Sequence, residues 1–270
     1  MDATMAGTSV DKVILKGIKF EAVVGLDAWH RPDKTQPVEL ELHLGPQGGL
    51  DAAAREDSVN YTIDYGKLYK SLKAVVFDQK FESVAKLSQA IRASLPEVSS
   101  WFISVVLPKA ILAANNGIQF SWTDEPEEDS LTSVLQHMKI RDLECRCVIG
   151  VNSHERLQKQ KLQVTITVWG MENRLSPSLL AAVDMEPSPG LAYQDMVKEV
   201  VERVEGSSYE TIEALATAIA QTVTMGHGFD NARIDIEKPA GLAGFGSSGV
   251  AIGRSRSYFE NKDFWKVKRP

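Results

Sequence analysis

The sequence predicts an α+β protein built from two tandem units, each a four-stranded antiparallel sheet with two helices on one face, in ββααββ order. Three observations predict it. The hydrophobic period changes from two to about 3.6 and back, in the same order, in both halves of the chain. An acidic stretch without apolar residues, Thr123-Asp124-Glu125-Pro126-Glu127-Glu128-Asp129-Ser130, lies near the midpoint and reads as a linker. Landmarks also recur at a near-constant interval: Gly25 is to Gly150 almost as Tyr65 is to Tyr193, with the drift that small loop insertions produce.

Each half opens with a hydrophobic stretch ending in glycine and an aliphatic residue, Val23-Val24-Gly25-Leu26 and Val148-Ile149-Gly150-Val151. A strand of strict alternation follows. Val38, Leu40, Leu42 and Leu44 alternate with Glu39, Glu41 and His43; Leu162, Val164, Ile166 and Val168 alternate with Gln163, Thr165 and Thr167. That is a sheet with one buried face and one polar face. The next stripes are helical: Tyr65, Leu68, Tyr69, Leu72 and Val76, then Tyr193, Met196, Val197, Val200 and Val204. A second helix is expected around Val84, Leu87 and Ile91, and its counterpart around Ile212, Leu215 and Ile219. Two strands close each half, Phe102 to Leu107 and Ile118 to Trp122, then Arg233 to Glu237 and Val250 to Gly253. The expected division is a first unit over 10–122, a linker over 123–135, a second unit over 136–255 and a tail over 256–270. Such sheets leave open edges, which favour joining edge to edge and closing into an oligomeric ring.

Composition narrows the function classes. A formal net charge of −6 and a pI near 5.5 argue against nucleic-acid binding, which needs a basic face. Cys145 and Cys147 are too few for a disulfide framework or a zinc site and read as reduced thiols on one face of a strand. The segment Met1 to Gly7 carries neither basic residues nor an apolar run, and no stretch reaches the roughly 18 apolar residues of a membrane span. A cytoplasmic protein is the expectation.

Several segments resemble dihydroneopterin aldolases. Asp11-Lys12-Val13-Ile14-Leu15-Lys16-Gly17-Ile18-Lys19-Phe20 is similar to the family's opening. Asp57-Ser58-Val59-Asn60-Tyr61 with Asp64-Tyr65-Gly66-Lys67-Leu68 resembles the entry to its first helix. Tyr209-Glu210-Thr211-Ile212-Glu213-Ala214-Leu215-Ala216 looks like the start of its pterin-anchoring helix, and Arg233-Ile234-Asp235-Ile236-Glu237-Lys238-Pro239 like its strand ending in Lys-Pro. The resemblance covers both halves and is similar to the fungal layout, in which two copies are fused. It implies the tunnelling fold, with sites between neighbouring units. It also implies retro-aldol cleavage of 7,8-dihydroneopterin, a small pterin substrate, with no metal and no other cofactor.

By that resemblance Glu213 matches the carboxylate that grips the pterin edge, which suits a group able to accept two parallel hydrogen bonds in the first turn of a helix. Lys238 matches the catalytic lysine, and Glu155 a carboxylate in the first hairpin loop that orients the site. The first half departs from the pattern: Ala85 stands at the anchor position, Leu107 at the lysine position and His30 at or near the hairpin carboxylate. Lys109, two residues on, would regain the same face if the strand continued. The family's tyrosine enters from the neighbouring unit, so in an alternating ring Tyr65 would serve Glu213 and Lys238 while Tyr193 faced the degenerate pocket. Gly244-Phe245-Gly246-Ser247-Ser248-Gly249 spells a dinucleotide-type glycine pattern but opens no long helix, and reads as a loop before the last strand. Two other readings remain open: a tandem oxidase of uricase type, and a pterin-binding or scaffold subunit.

Overall fold

The computed structural model describes residues 11–124, 135–169, 193–239, 244 and 246–261. Two long strands, β1 (Val13–Val24) and β2 (Thr35–Pro46), open the first half. After α1 (Asp51–Glu56), a 3-10 turn (Val59–Tyr61), α2 (Tyr65–Val76), β3 (Lys80–Phe81) and α3 (Val84–Ser94), it closes with β4 (Val98–Leu107) and β5 (Ile118–Thr123). The second half runs β6 (Leu135–Cys147), a 3-10 turn (Ser153–Arg156), β7 (Gln160–Trp169), α4 (Tyr193–Glu205), α5 (Ile212–Gln221), β8 (Asn231–Lys238), β9 (Ser248–Ser255) and α6 (Arg256–Glu260). A π-helical turn, Thr222–Gly226, extends α5.

Alternation decides which strand face is buried. Val38, Leu40, Leu42 and Leu44 are essentially inaccessible, while Glu39 and Glu41 on the other face pair with Lys19 and Lys16 at 2.8 and 3.1 Å. The helices are started by side-chain caps that satisfy otherwise orphaned amides. Asp64 Oδ1 accepts from the Gly66 and Lys67 amides at 3.0 Å each, Ser83 Oγ from Lys86 at 3.2 Å, and Thr211 Oγ1 from Ala214 at 3.2 Å. Leu68, Leu72 and Val76 of α2 and Met196, Val197, Val200 and Val204 of α4 bury their stripes in one hydrophobic core that runs through both halves.

The two halves do not form separate sheets. One nine-stranded sheet runs β3-β1-β2-β4-β5-β6-β7-β8-β9. The seam between halves is the antiparallel pair β5–β6, with Ile118 opposite Ile140 and Phe120 opposite Met138. The duplication extends to an irregularity: β1 carries a bulge between Leu15 and Ile18 and β6 one between Ile140 and Leu143. Each bulge holds a left-handed residue, Gly17 at φ 68° and Asp142 at φ 56°, the conformation by which one extra residue is absorbed in an antiparallel pair. At the two ends, among the described residues, β9 has no outer neighbour and β1 is covered only by two-residue β3, paired in parallel through Val23 and Val24.

The structure amends several expectations. The first half carries α1, a 3-10 turn and a fifth, short strand beyond the four strands and two helices expected. Tyr65 and Tyr69 leave the predicted core stripe, at 70% and 41% exposure, because Leu68, Leu72 and Val76 already fill the face of α2 toward the sheet. Cys145 and Cys147 do share a buried face. Of the expected tail, Arg256–Glu260 is helical, packs beside β9 and buries Phe259 in the core, and 262–270 lie outside the described residues. Most of the expected linker, 125–134, lies outside them as well. No helix among the described residues is long and apolar enough to cross a membrane.

Candidate active site

Lys238 ends β8, and Glu155 lies in the 3-10 turn between β6 and β7. The fold brings these two residues, 83 apart in sequence, into a direct ion pair: Lys238 Nζ donates to Glu155 Oε1 at 2.6 Å. Their side chains are 12% and 19% exposed, so the pair is sheltered on most sides. The other carboxylate oxygen has its own donors. Glu155 Oε2 accepts from the Asn152 amide at 3.1 Å and from Asn152 Nδ2 at 2.8 Å, the reciprocal capping arrangement that an Asn-x-x-Glu spacing allows. The Lys238 ammonium first, then the Asn152 donors, hold the Glu155 carboxyl down at about 2. Glu155 is therefore a fixed negative charge at any physiological pH, an acceptor rather than a proton donor.

Gly150 makes room for this carboxylate. Its φ is 133°, and a Cβ there would stand 2.5 Å from Glu155 Cδ and 2.6 and 2.7 Å from the two carboxylate oxygens. Gln160 supports the loop from beneath, its Nε2 donating to the Glu155 carbonyl at 3.0 Å. Arg156 ties the loop to the chain entering α5 through the Ser208 carbonyl at 2.9 Å. The sequence reading missed Asn152, Gln160 and Arg156 as supports. Asn152 was detectable from its capping spacing, whereas the reach of Arg156 to Ser208 leaves no local signature.

Glu213 occupies the first turn of α5, two residues beyond the Thr211 cap. It is exposed and engages no hydrogen bond or ion pair among the described residues, so its acceptor capacity is unspent. The helix dipole favours its charge there. Helix α5 packs on β8 and β9, the hairpin whose first strand ends in Lys238.

The corresponding places in the first half are chemically empty. Ala85 is buried in the first turn of α3 and Leu107 is buried at the end of β4. Strand β4 stops at Leu107, so the alternation that would have returned Lys109 to the same face is broken, and Lys109 is exposed beyond it. His30 is exposed at φ 57°. The carboxylate of this loop is the buried Asp27, whose oxygens take the Arg31 guanidinium at 2.7 Å and the Trp29 and Arg31 amides at 2.9 Å each. The Arg31 guanidinium holds Asp27 below the usual carboxylate range.

The two tyrosines separate. Tyr193, at the start of α4, is half-buried at the seam, edge-on to Phe120 with ring centroids 6.2 Å apart. Burial, and then the charge of Asp27, push its phenol upward. Next to it, Gln194 Nε2 donates to the Asp27 carbonyl at 3.1 Å, so the start of α4 docks on the first half's hairpin loop. Tyr65, at the start of α2, stands 70% exposed. An open cleft of about 740 Å³ lies in the first half, lined by Gln47, Asn60, Thr62, Asp64, Lys67 and Glu97 among others, and includes none of the candidate residues. No group of His, Cys, Asp and Glu among the described residues is arranged to hold a metal ion.

The sequence model of the family described as FolB, dihydroneopterin aldolase, matches residues 13–121 and again 138–253. The chain is 27% identical to the folic acid synthesis protein fol1 of Pneumocystis carinii over 263 residues, 95% of this chain and 34% of that protein. It is 26% identical to the protein of the same name from Schizosaccharomyces pombe over 262 residues, and spans 33% of that protein. The chain thus spans about a third of the length of these curated relatives. The dihydroneopterin aldolase of Escherichia coli is 30% identical over 122 residues, 45% of this chain but 95% of the bacterial protein. A uricase from Bacillus fastidious matches in structure with a TM-score of 0.64 over 97% of this chain and 96% of its own, at 9% identity, a likeness of fold.

Proposed function

Because the chain belongs to the dihydroneopterin aldolase family, we propose that it cleaves 7,8-dihydroneopterin by retro-aldol reaction to 6-hydroxymethyl-7,8-dihydropterin and glycolaldehyde, a step of folate synthesis. The observation that carries this reading is the sheltered Glu155–Lys238 pair at 2.6 Å, present in the second half and replaced in the first. Glu213 grips the N–H-rich edge of the pterin with an unspent carboxylate, as charge-assisted paired hydrogen bonds require. Lys238 acts at the other end of the substrate, moving the side-chain hydroxyl proton through an ordered water, with Glu155 fixing its ammonium. As the carbon–carbon bond breaks, its electron pair enters the ring C=N and the hydroxyl-bearing fragment leaves as glycolaldehyde. Proton return to the ring-attached carbon completes the hydroxymethyl product.

We read the halves as two tunnelling-fold units, 10–122 and 136–255, and the chain as a protomer of a homo-oligomeric ring in which the two kinds of unit alternate. The seam inside the chain supports this as a template. There, β5 pairs with β6, and the start of α4, with Tyr193 and Gln194, docks on the Asp27 loop. Repeating that junction between chains pairs β9 of one copy with β1 of the next. Half-buried Val13, Leu15, Val250 and Ile252 become covered, and Tyr65 arrives beside the partner copy's hairpin loop, where its phenol passes a proton near the reacting side chain.

Incubation with 7,8-dihydroneopterin and assay of glycolaldehyde tests the proposal, and release of glycolaldehyde is the expected result. Pterin binding without cleavage would favour a binding subunit, and oxidation of urate would favour the uricase-type reading.

A further inference from the structure

The Arg156 guanidinium joins two stretches of chain that carry the separate ends of the proposed site. Its Nη1 donates to the Gly150 carbonyl at 3.0 Å and the Tyr209 carbonyl at 3.4 Å, and its Nη2 to the Ser208 carbonyl at 2.9 Å. The partners in the second stretch lie 52 and 53 residues away in sequence. On one side is the hairpin loop holding Glu155, the residue next to Arg156. On the other is the run Ser208-Tyr209-Glu210-Thr211, which leads directly into the first turn of α5 and Glu213.

We propose that Arg156 is a positioning residue that fixes the Glu155–Lys238 pair at a set separation from Glu213. The inference rests on the aldolase reading of that site. A planar fork of donors suits it, because one rigid group spans carbonyls of two segments at once, which a single ammonium on a flexible stem does poorly. The molecule contains its own comparison. Arg31 holds the corresponding place in the first half's hairpin loop, but its guanidinium turns inward to the Asp27 carboxylate, with Nε at 2.8 Å and Nη2 at 2.7 Å. The half that lacks an anchoring glutamate and a strand-end lysine also lacks this strap.

The consequence is specific to rate. Glu213 still meets the pterin edge when the strap is cut, but the substrate's reacting end no longer arrives at Lys238 in register. A shift of about 1 Å in such alignment costs on the order of 100-fold in turnover. In the full chain, Arg156→Met is expected to lower kcat at least tenfold while KM for 7,8-dihydroneopterin stays within about threefold, and Arg156→Lys to recover part of the loss. Arg31→Met serves as the control and is expected to leave kcat within about twofold. Equal kcat in Arg156→Met and the parent chain, or an equal fall in Arg31→Met, would overturn the inference while leaving the aldolase reading standing. A parent chain that releases no glycolaldehyde would overturn the reading, and this inference with it.

Discussion

Replacing Gly150 by alanine is the sharpest perturbation of the site, because the expected damage follows from distances. The new Cβ would lie 2.5 Å from Glu155 Cδ and 2.6 Å from Oε2, where ordinary contact begins at 3.4 Å. The carboxylate must retreat by about 1 Å, and Lys238, bonded to it at 2.6 Å, loses its fixed position. Misplacement on that scale lowers kcat by roughly 100-fold. The φ of 133° adds a conformational cost of about 1–3 kcal/mol to folding. Gly25 gives the matched control from the first half. Its φ is 58°, and its Cβ would meet nothing nearer than the Glu82 carbonyl at 3.6 Å. Gly25→Ala should therefore lose about 1–2 kcal/mol of stability through backbone strain and little rate. Glycolaldehyde release in steady state and urea unfolding measure the two effects separately. If Gly150→Ala kept kcat within threefold while unfolding no earlier than Gly25→Ala, the packing argument for the Glu155 carboxylate would be wrong.

Five further outcomes are expected. Glu213→Gln replaces a charge-assisted pair of hydrogen bonds and should weaken neopterin binding by about 10- to 100-fold, read by pterin fluorescence, with little change in melting temperature, since the residue is exposed and loses only its interaction with the helix dipole. Lys238→Met should lower kcat by about 100- to 10,000-fold and let the Glu155 carboxyl rise from about 2 toward its ordinary value of 4.5, as followed by carboxyl NMR. Because the Glu155 value is depressed in the folded chain, the stability it contributes is fully present above pH 4.5 and disappears as pH falls toward 2; a midpoint that declines between pH 8 and 6 in the parent but not in Lys238→Met would contradict this. Tyr65→Phe should cripple turnover and Tyr193→Phe should leave it largely intact, and the reverse ranking would count against the partner-copy arrangement. Combining Val13→Cys with Val250→Cys should give disulfide-linked chains under mild oxidation, since these positions match the Met138 and Phe120 pair of the internal seam; monomeric products alone would refute that register.

Much of the candidate site was legible in the chain. Glu213 follows a threonine cap at a helix start, Lys238 precedes a proline at a strand end, and Ala85 and Leu107 stand at their counterparts in the first half, all local features of sequence. Period-two and helical alternation likewise announced the order of elements and the duplication, because burial of one strand face or one helix stripe is a constraint acting every second or fourth residue.

What the sequence alone determined is therefore the repeated order of strands and helices, and which half kept the chemical groups. Only the tertiary structure decided that nine strands form one sheet, that Glu155 and Lys238 pair across 83 residues, and that Arg156 straps two segments. It also sent Tyr193 inward at the seam and left Tyr65 outside, although the two sit at matching positions in their repeats. The physical reason is that these outcomes depend on strand register and on which neighbour covers a given edge. Periodicity carries no information on either, since the same alternating strand is satisfied by any partner that buries its apolar face.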